Sequence, residues 1–270
     1  MQFATVATPD RSTSAAVRTR DVWCRLPAPD LSDLLAGLDV PGADTGAAIP
    51  GATPILPLGN PRKVICCGLN YADHITETGR DLPAHPTLFA KYADTLVGPE
   101  EDVVLPKGVD VDWEAELAVV VGAELRAASR HEAAEAIFGY TVANDISIRD
   151  WQYRTLQWFQ GKAWDRTTPV GPVVVTPDEV DPVAGLDISC RVNGEEVQRA
   201  NTRTLVFDSA ELLAYVSSFT VLRPGDLVLT GTPGGVGVAR DPQRFLEDGD
   251  VVETEIAGIG LLRNTIRFTD

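Results

Sequence analysis

The chain has 270 residues and a mass of 29.0 kDa, with 39 acidic against 23 basic side chains and a formal net charge of -16. A hydrophobic content of 44% with 23% charged residues describes a globular chain long enough to bury a sizeable core, and excludes a mainly disordered or fibrous one. A sequence pI of about 4.5 argues against a nucleic-acid or anionic-membrane surface, which leaves a protein acting on small molecules or a soluble binding module.

Residues 2–8 and 15–26 read as two short strands around the turn Pro9-Asp10-Arg11-Ser12, and Leu31 to Leu35 offers one helical turn. A stretch rich in Pro, Gly and Ala follows, from Pro41 to Pro57, so a soft boundary is placed near residue 60: a small N-terminal domain and connection over 1–60, and one larger domain over 61–270. The larger part is mostly strand-forming. Short apolar runs are expected as strands at Lys63–Cys67, Val103–Leu105, Glu116–Val121, Gly139–Ile146, Asp226–Thr230, Val251–Ile256 and Leu261–Phe268. Helices are expected at His131–Phe138 with Ser129 as cap, at Ile148–Phe159, and at Leu212–Phe219 behind a capping box of Asp208 and Glu211. Asn193-Gly194 signals a hairpin. No regular strand–helix–strand alternation occurs, so the expected fold is α+β and β-rich rather than a doubly wound sheet.

Cys24, Cys66, Cys67 and Cys190 show no C-x-x-C spacing and read as free thiols in a reducing compartment. The N-terminus lacks a secretory signal, and the longest apolar run, Leu117 to Ala123, is too short to span a bilayer, so a cytoplasmic protein is expected.

The chemically informative segment is Asp112-Trp113-Glu114-Ala115-Glu116, followed by an apolar run. In a strand, Asp112, Glu114 and Glu116 share a face. Either this is a solvated edge, or the carboxylates are buried and must be protonated, paired with Lys or Arg, or bound to a divalent cation. Asn144-Asp145 follows the apolar strand segment Gly139–Ala143, so Asp145 at a strand end is a third oxygen donor or else a cap on the helix that follows. Three carboxylates without His or thiolate select Mg²⁺ or Mn²⁺ over zinc. His74 and Glu77 lie three apart, a spacing that suits either a general base oriented by a carboxylate or a surface contact. Lys162 suits either a substrate carboxylate or an ion pair with Asp165. Gly231-Thr232-Pro233-Gly234-Gly235-Val236-Gly237 is neither a P-loop nor a dinucleotide fingerprint, and reads as a turn offering N–H groups and the Thr232 hydroxyl to an anionic ligand.

The ordered set Gly68-Leu69-Asn70-Tyr71-Ala72-Asp73-His74, Glu114-Ala115-Glu116-Leu117, Asn144-Asp145, Arg149-Asp150-Trp151-Gln152, Lys162, Pro169-Val170-Gly171-Pro172, Val192-Asn193-Gly194 and 231–237 resembles the fumarylacetoacetate hydrolase family, in its shorter members, over about residues 63–270. The resemblance implies a mixed β-roll catalytic domain, a homodimer, and one Mg²⁺ or Mn²⁺ per chain on Glu114, Glu116 and Asp145. It further implies His74, Glu77 and Lys162 as catalytic residues, and Tyr71, Gln152 and Thr232 as substrate contacts; Asp112 is not a ligand in the family pattern. The expected substrate is a small anionic 2-oxo acid, with no nucleic-acid or membrane partner. The activity implied is hydrolysis of a carbon–carbon bond in a 2,4-dioxo acid such as an acylpyruvate or fumarylpyruvate. Oxaloacetate decarboxylation, or isomerisation of a 2-hydroxymuconate-type diacid, is the alternative on the same site, and a non-catalytic metabolite-binding protein is the alternative of another class.

Overall fold

A computed structural model describes residues 1–37, 46–72, 75 and 81–270. Its large sheet runs in the order Val22–Arg25, Thr13–Thr19, Gln2–Ala7, Thr168–Val175, Ile137–Asn144, Ala115–Val121, Leu227–Leu229, Val64–Gly68 and Thr87–Lys91, with two short side strands, eleven in all. A five-stranded sheet runs Glu195–Asn201, Asp187–Val192, Val251–Ile256, Gly260–Thr269 and Val103–Pro106, and a two-stranded ribbon joins Ser147–Ile148 to Val111–Asp112. Most pairs are antiparallel, but Leu227–Leu229 lies parallel to Val64–Gly68, so the large sheet is mixed. With short helices between strands, the fold is α+β and strand-rich.

Two hydrophobic clusters sandwich the large sheet. Leu117, Val119 and Val121 face a cluster shared with Ile188, Val192, Val252 and Ile266 of the smaller sheet. Ala118 and Val120 face a second cluster that holds Phe3, Val17 and the helix residues Leu31, Leu34 and Leu35. Ala115–Val121 is therefore a central strand buried on both faces over all seven residues. Each fully buried Val or Leu contributes about 1.5–3 kcal/mol. An ionised carboxylate in the same strand costs several kcal/mol unless it is paired, and Glu116 is in that position.

The sheet crosses the expected boundary near residue 60: Gln2 and Phe3 pair with Val175 and Val174. The run expected as one strand over 15–26 is two strands, parted by a turn at Arg20 and Asp21, both with positive φ. The expected helix Ile148–Phe159 is replaced by two single turns, Arg149–Gln152 and Phe159–Lys162. Its apolar spacing misled because two of its members, Leu156 and Phe159, face solvent. Both capping arrangements form: Ser129 with Glu132, and Asp208 with Glu211. The hairpin at Asn193-Gly194 closes with Val192 opposite Glu195. The four cysteines are free, and among the described residues no helix is long and apolar enough to cross a membrane.

The two single-turn helices pack through Gly161. A Cβ there would lie 2.5 Å from both the Ile148 carbonyl oxygen and the Gln152 Cβ. Gly161→Ala is expected to overpack this contact, destabilising the protein by about 1–3 kcal/mol. Thermal unfolding checks it: the midpoint should drop by several degrees, and an unchanged midpoint would show that the Phe159–Lys162 turn can step away freely.

Candidate metal centre and cavity

The three carboxylates converge because of strand register. Ala115 pairs with Asn144 and Glu116 with Ala143, so Glu114, just before one strand, and Asp145, just after the other, lie side by side at the same end of the antiparallel pair. The Asp145 N–H donates to the Glu114 carbonyl at 2.8 Å. The Asn144 side chain locks this corner, accepting from Glu114 N at 3.0 Å and donating to Thr254 Oγ1 at 2.8 Å. One oxygen from each of Glu114, Glu116 and Asp145 lies within 4.8 Å of the others. Two full negative charges at about that separation repel by roughly 3 kcal/mol at an effective dielectric of about 20. The arrangement needs compensating charge.

Three cations supply it. Lys162 Nζ donates to Glu114 Oε2 at 2.6 Å and to Asp145 Oδ2 at 2.8 Å. The wholly buried Lys91 ammonium takes Asp145 Oδ1. Arg149 Nη1 bonds Glu114 Oε1 at 2.8 Å. Among the described residues Glu116 accepts no hydrogen bond from these cations; its Oε2 accepts the Gly231 N–H at 2.7 Å. The titration follows this division. Burial, then the charges of Asp145 and Glu114, pushes the Glu116 carboxyl well above the usual range. Burial also acts to raise Asp145, but Lys162 and Lys91 outweigh it and hold that carboxyl below its ordinary value. For Lys162, burial favours the neutral amine, yet Asp145 and Glu114 raise its pKa and keep it protonated.

Of the three carboxylates, Glu114 lines a cavity of about 490 Å³, with Glu116 and Asp145 buried behind it. Glu114, Arg149, Gln152, Lys162 and Thr232 supply its polar lining, and Phe89, Trp158, Val236 and Val238 an apolar wall. Gln152, Lys162 and Thr232 are thus brought together with Glu114. Tyr71 is not in this lining. It is buried, its hydroxyl has no hydrogen-bond partner among the described residues, and burial followed by the nearby Glu116 charge pushes its phenol pKa up. His74 and Glu77 lie outside the described residues. Asn70, just before them, is pinned: its Nδ2 donates to the carbonyls of Phe207 and Thr230 at 2.9 and 2.8 Å, and its Oδ1 accepts from Phe207 N at 2.8 Å.

Two expectations are corrected. Lys162 engages Glu114 and Asp145 rather than Asp165. The 231–237 turn directs N–H groups at carboxylates of the protein itself, Gly231 at Glu116 and Gly237 at Asp112, so those donors are not offered to a ligand. Thr232 keeps its donor capacity: Gln198 Nε2 donates to Thr232 Oγ1 at 2.9 Å while Gln198 Oε1 accepts from Ala115 N at 2.9 Å. Sequence reasoning missed Lys91, Arg149 and Gln198. Lys91 carries no local motif. Arg149 had a usable signal, since a helical turn places it three residues before Gln152, to which its Nη1 donates at 2.8 Å.

The donor set fits a hard divalent cation. Among the described residues no histidine or thiolate joins the group, all three carboxylates are buried, and carboxylate oxygens are the ligands Mg²⁺ and Mn²⁺ prefer.

Comparison with known proteins agrees with this geometry. The human mitochondrial oxaloacetate tautomerase FAHD2A is 46% identical over 215 residues, covering 78% of this chain and 68% of its own. The crystal structure of fumarylacetoacetate hydrolase from Exiguobacterium antarcticum superposes with a TM-score of 0.89 at 32% identity over 100% of both chains. That of fumarylpyruvate hydrolase from Pseudomonas aeruginosa, in complex with Mn²⁺ and pyruvate, gives 0.69 at 34% identity, covering 77% of this chain and 91% of its own. Residues 63–267 match the family described as Fumarylacetoacetate (FAA) hydrolase C-terminal, and the chain belongs to that fumarylacetoacetate hydrolase family.

Proposed function

We propose that the protein is a divalent-cation-dependent enzyme that enolises a small 2-oxo diacid of the oxaloacetate class, interconverting its keto and enol forms. The observation that carries this reading is the buried group of Glu114, Glu116 and Asp145 beside a cavity that presents a protonated Lys162, Arg149 and a hydroxyl donor. The oxaloacetate tautomerase relative supports the substrate class. A cation held by these carboxylates supplies Lewis-acid stabilisation of negative charge on the substrate's 2-oxygen. Lys162, held by Glu114 and Asp145, adds a fixed positive charge and an N–H donor at the cavity wall. Thr232, with its oxygen engaged by Gln198, has its own proton left to donate to a substrate carboxylate. Phe89, Trp158, Val236 and Val238 exclude water from one side. The reaction removes one proton from C3 and adds one to the 2-oxygen, so atoms and charge balance with no co-reactant. His74, oriented by Glu77 three residues on, is the proposed proton carrier. Gln152, in the cavity lining, contacts the substrate in this reading, whereas Tyr71 is buried outside that lining.

A second reading is cleavage of a 2,4-dioxo acid, favoured by the likeness to a fumarylpyruvate hydrolase that binds Mn²⁺ and pyruvate. There His74 takes a proton from the water that attacks the distal carbonyl, and the carbon–carbon bond breaks to release an enolate that is then protonated. A homodimer in the cytoplasm completes the proposal, the free thiols supporting a reducing compartment.

The deciding experiment follows enol–keto equilibration of oxaloacetate by ultraviolet absorbance with Mg²⁺ or Mn²⁺, beside a panel of acylpyruvates and fumarylpyruvate. Acceleration that chelation abolishes, without pyruvate accumulating, is expected. Cleavage of the dioxo acids with oxaloacetate untouched would select the second reading. A melting shift with Mn²⁺ and oxalate but no turnover of any substrate would sink both and leave a binding protein.

Lys162→Met is expected to lower kcat/KM by about 10²–10³-fold, the usual loss for a preorganised charge donor, in steady-state assays at saturating Mn²⁺. A pH dependence follows from Glu116. Its folded-state pKa is raised above its unfolded value, so in chelator-treated protein its contribution to stability is full below the ordinary carboxylate range and is lost as pH rises through the raised value. Mn²⁺ replaces that proton. The rise in melting temperature on adding Mn²⁺ should therefore grow with pH until Glu116 is ionised, whereas Glu116→Gln should flatten the trend. A pH-independent shift in the unaltered protein would show that Glu116 exchanges no proton for the metal.

A further inference from the structure

Asp112 stands apart from the three grouped carboxylates and is wholly buried. Its Oδ1 accepts from Trp113 N at 2.8 Å and Gly237 N at 2.7 Å, and its Oδ2 from Val238 N at 3.0 Å and Arg149 Nε at 2.7 Å. Arg149 in turn spends Nη1 on Glu114 Oε1 and Gln152 Oε1, both at 2.8 Å, and its Nη2 has no partner among the described residues. A guanidinium is planar, so an acceptor that fixes Nε fixes the direction of both Nη groups. Glu114 is held on its other oxygen by Lys162, so its orientation is set by two cations. Only one of them, Arg149, answers to a carboxylate outside the trio.

We propose that Asp112 is a positioning residue: through Arg149 it sets the orientation of Glu114 toward the cation, and through Gly237 and Val238 it holds the cavity wall in the same frame. The wall runs close against it. A Cβ on Gly237 would lie 2.8 Å from Asp112 Oδ1 and 1.9 Å from the Arg244 carbonyl oxygen, so glycine is required where the chain passes the carboxylate. Val236, Val238 and Ala239, flanking that contact, line the cavity. Without the Asp112 charge, the Arg149 guanidinium loses its Nε partner and turns its full charge on Glu114, in competition with a metal for the same carboxylate. With no guanidinium at 149, there is nothing to redirect.

This inference rests on the reading of a divalent cation at Glu114, Glu116 and Asp145, and the test separates the two. Mn²⁺ binding to the full chain is measured by electron paramagnetic resonance of free Mn²⁺, in unaltered protein, Asp112→Asn, Arg149→Met and the double variant, with thermal melting to confirm folding. Asp112→Asn is expected to weaken Mn²⁺ binding about tenfold or more when Arg149 is present, and by less than about threefold in the Arg149→Met background. The same factor in both backgrounds would overturn the proposal, since Asp112 would then act without Arg149. Should Asp112→Asn fail to fold, or the unaltered protein fail to bind Mn²⁺ (which sinks the cation reading itself), arginine side-chain nuclear magnetic resonance of the unaltered protein decides. The Arg149 Nε–H is expected to exchange with water far more slowly than those of exposed arginines, and exchange as fast as theirs would overturn the proposal.

Discussion

The structure depends on the burial of negative charge inside the central strand pair. Glu116 sits in a strand with no solvent-facing side, and Glu114 and Asp145 flank it at the end of the same pair. Neither hydrophobic burial nor strand propensity favours carboxylates there. What holds them is cations brought from distant parts of the chain: Lys91 from a sheet-edge strand, Arg149 and Lys162 from two single-turn helices, and a backbone N–H from Gly231. Breaking one such buried pair costs more than forming it gains, because the remaining partner is left uncompensated. The contacts therefore act less as a source of stability than as a constraint on register. A one-residue slip of Ala115–Val121 against Ile137–Asn144 would turn Glu114 and Glu116 to the other face, away from Asp145.

The helices near the site are short for the same reason. Arg149–Gln152 and Phe159–Lys162 bury no amphipathic face of the length that stabilises an isolated helix. Their position comes from tertiary contacts: Arg149 N bonds the Asp110 carbonyl, Gly161 permits close approach, and the two cationic side chains reach inward to the carboxylates. The segment between them leaves Tyr153 and Leu156 exposed. Ion pairing of Arg149 and Lys162 with the carboxylates, rather than burial of an apolar face, holds these two turns in place.

That distinction explains what could be read from the sequence. The Glu114/Glu116 spacing, the strand segment Gly139–Ala143 before Asn144-Asp145 and the apolar run to Val121 pointed to three carboxylates coming together, because strand periodicity and a buried run are local signals. Lys162, Gln152 and Thr232 were legible through the family resemblance. The helix expected over Ile148–Phe159 was wrong because apolar spacing does not tell a buried face from an exposed one. Lys91 was invisible: its role depends on a strand pairing between Val64–Gly68 and Thr87–Lys91, and nothing near it in sequence marks it. The glycine-rich turn was read as an open anion cradle because sequence shows how many N–H groups a turn has, not which carboxylates already take them.

Charge balance links these parts to the chemistry. Four buried carboxylates, Asp112, Glu114, Glu116 and Asp145, face three buried cations, Lys91, Arg149 and Lys162, which leaves one negative charge if all are ionised. Burial and the neighbouring Asp145 and Glu114 charges push the Glu116 carboxyl up, which favours a proton there that would cancel that charge. Exchanging the proton for a divalent cation makes the centre positive by one unit. A chain carrying a formal net charge of -16 repels a dianion at long range. A neutral cavity offers such a ligand no electrostatic gain, whereas a positive one does, at short range and in a site shielded from water. Under the proposed function, the three carboxylates that burden the fold would thus tie capture of an anionic substrate to a bound cation.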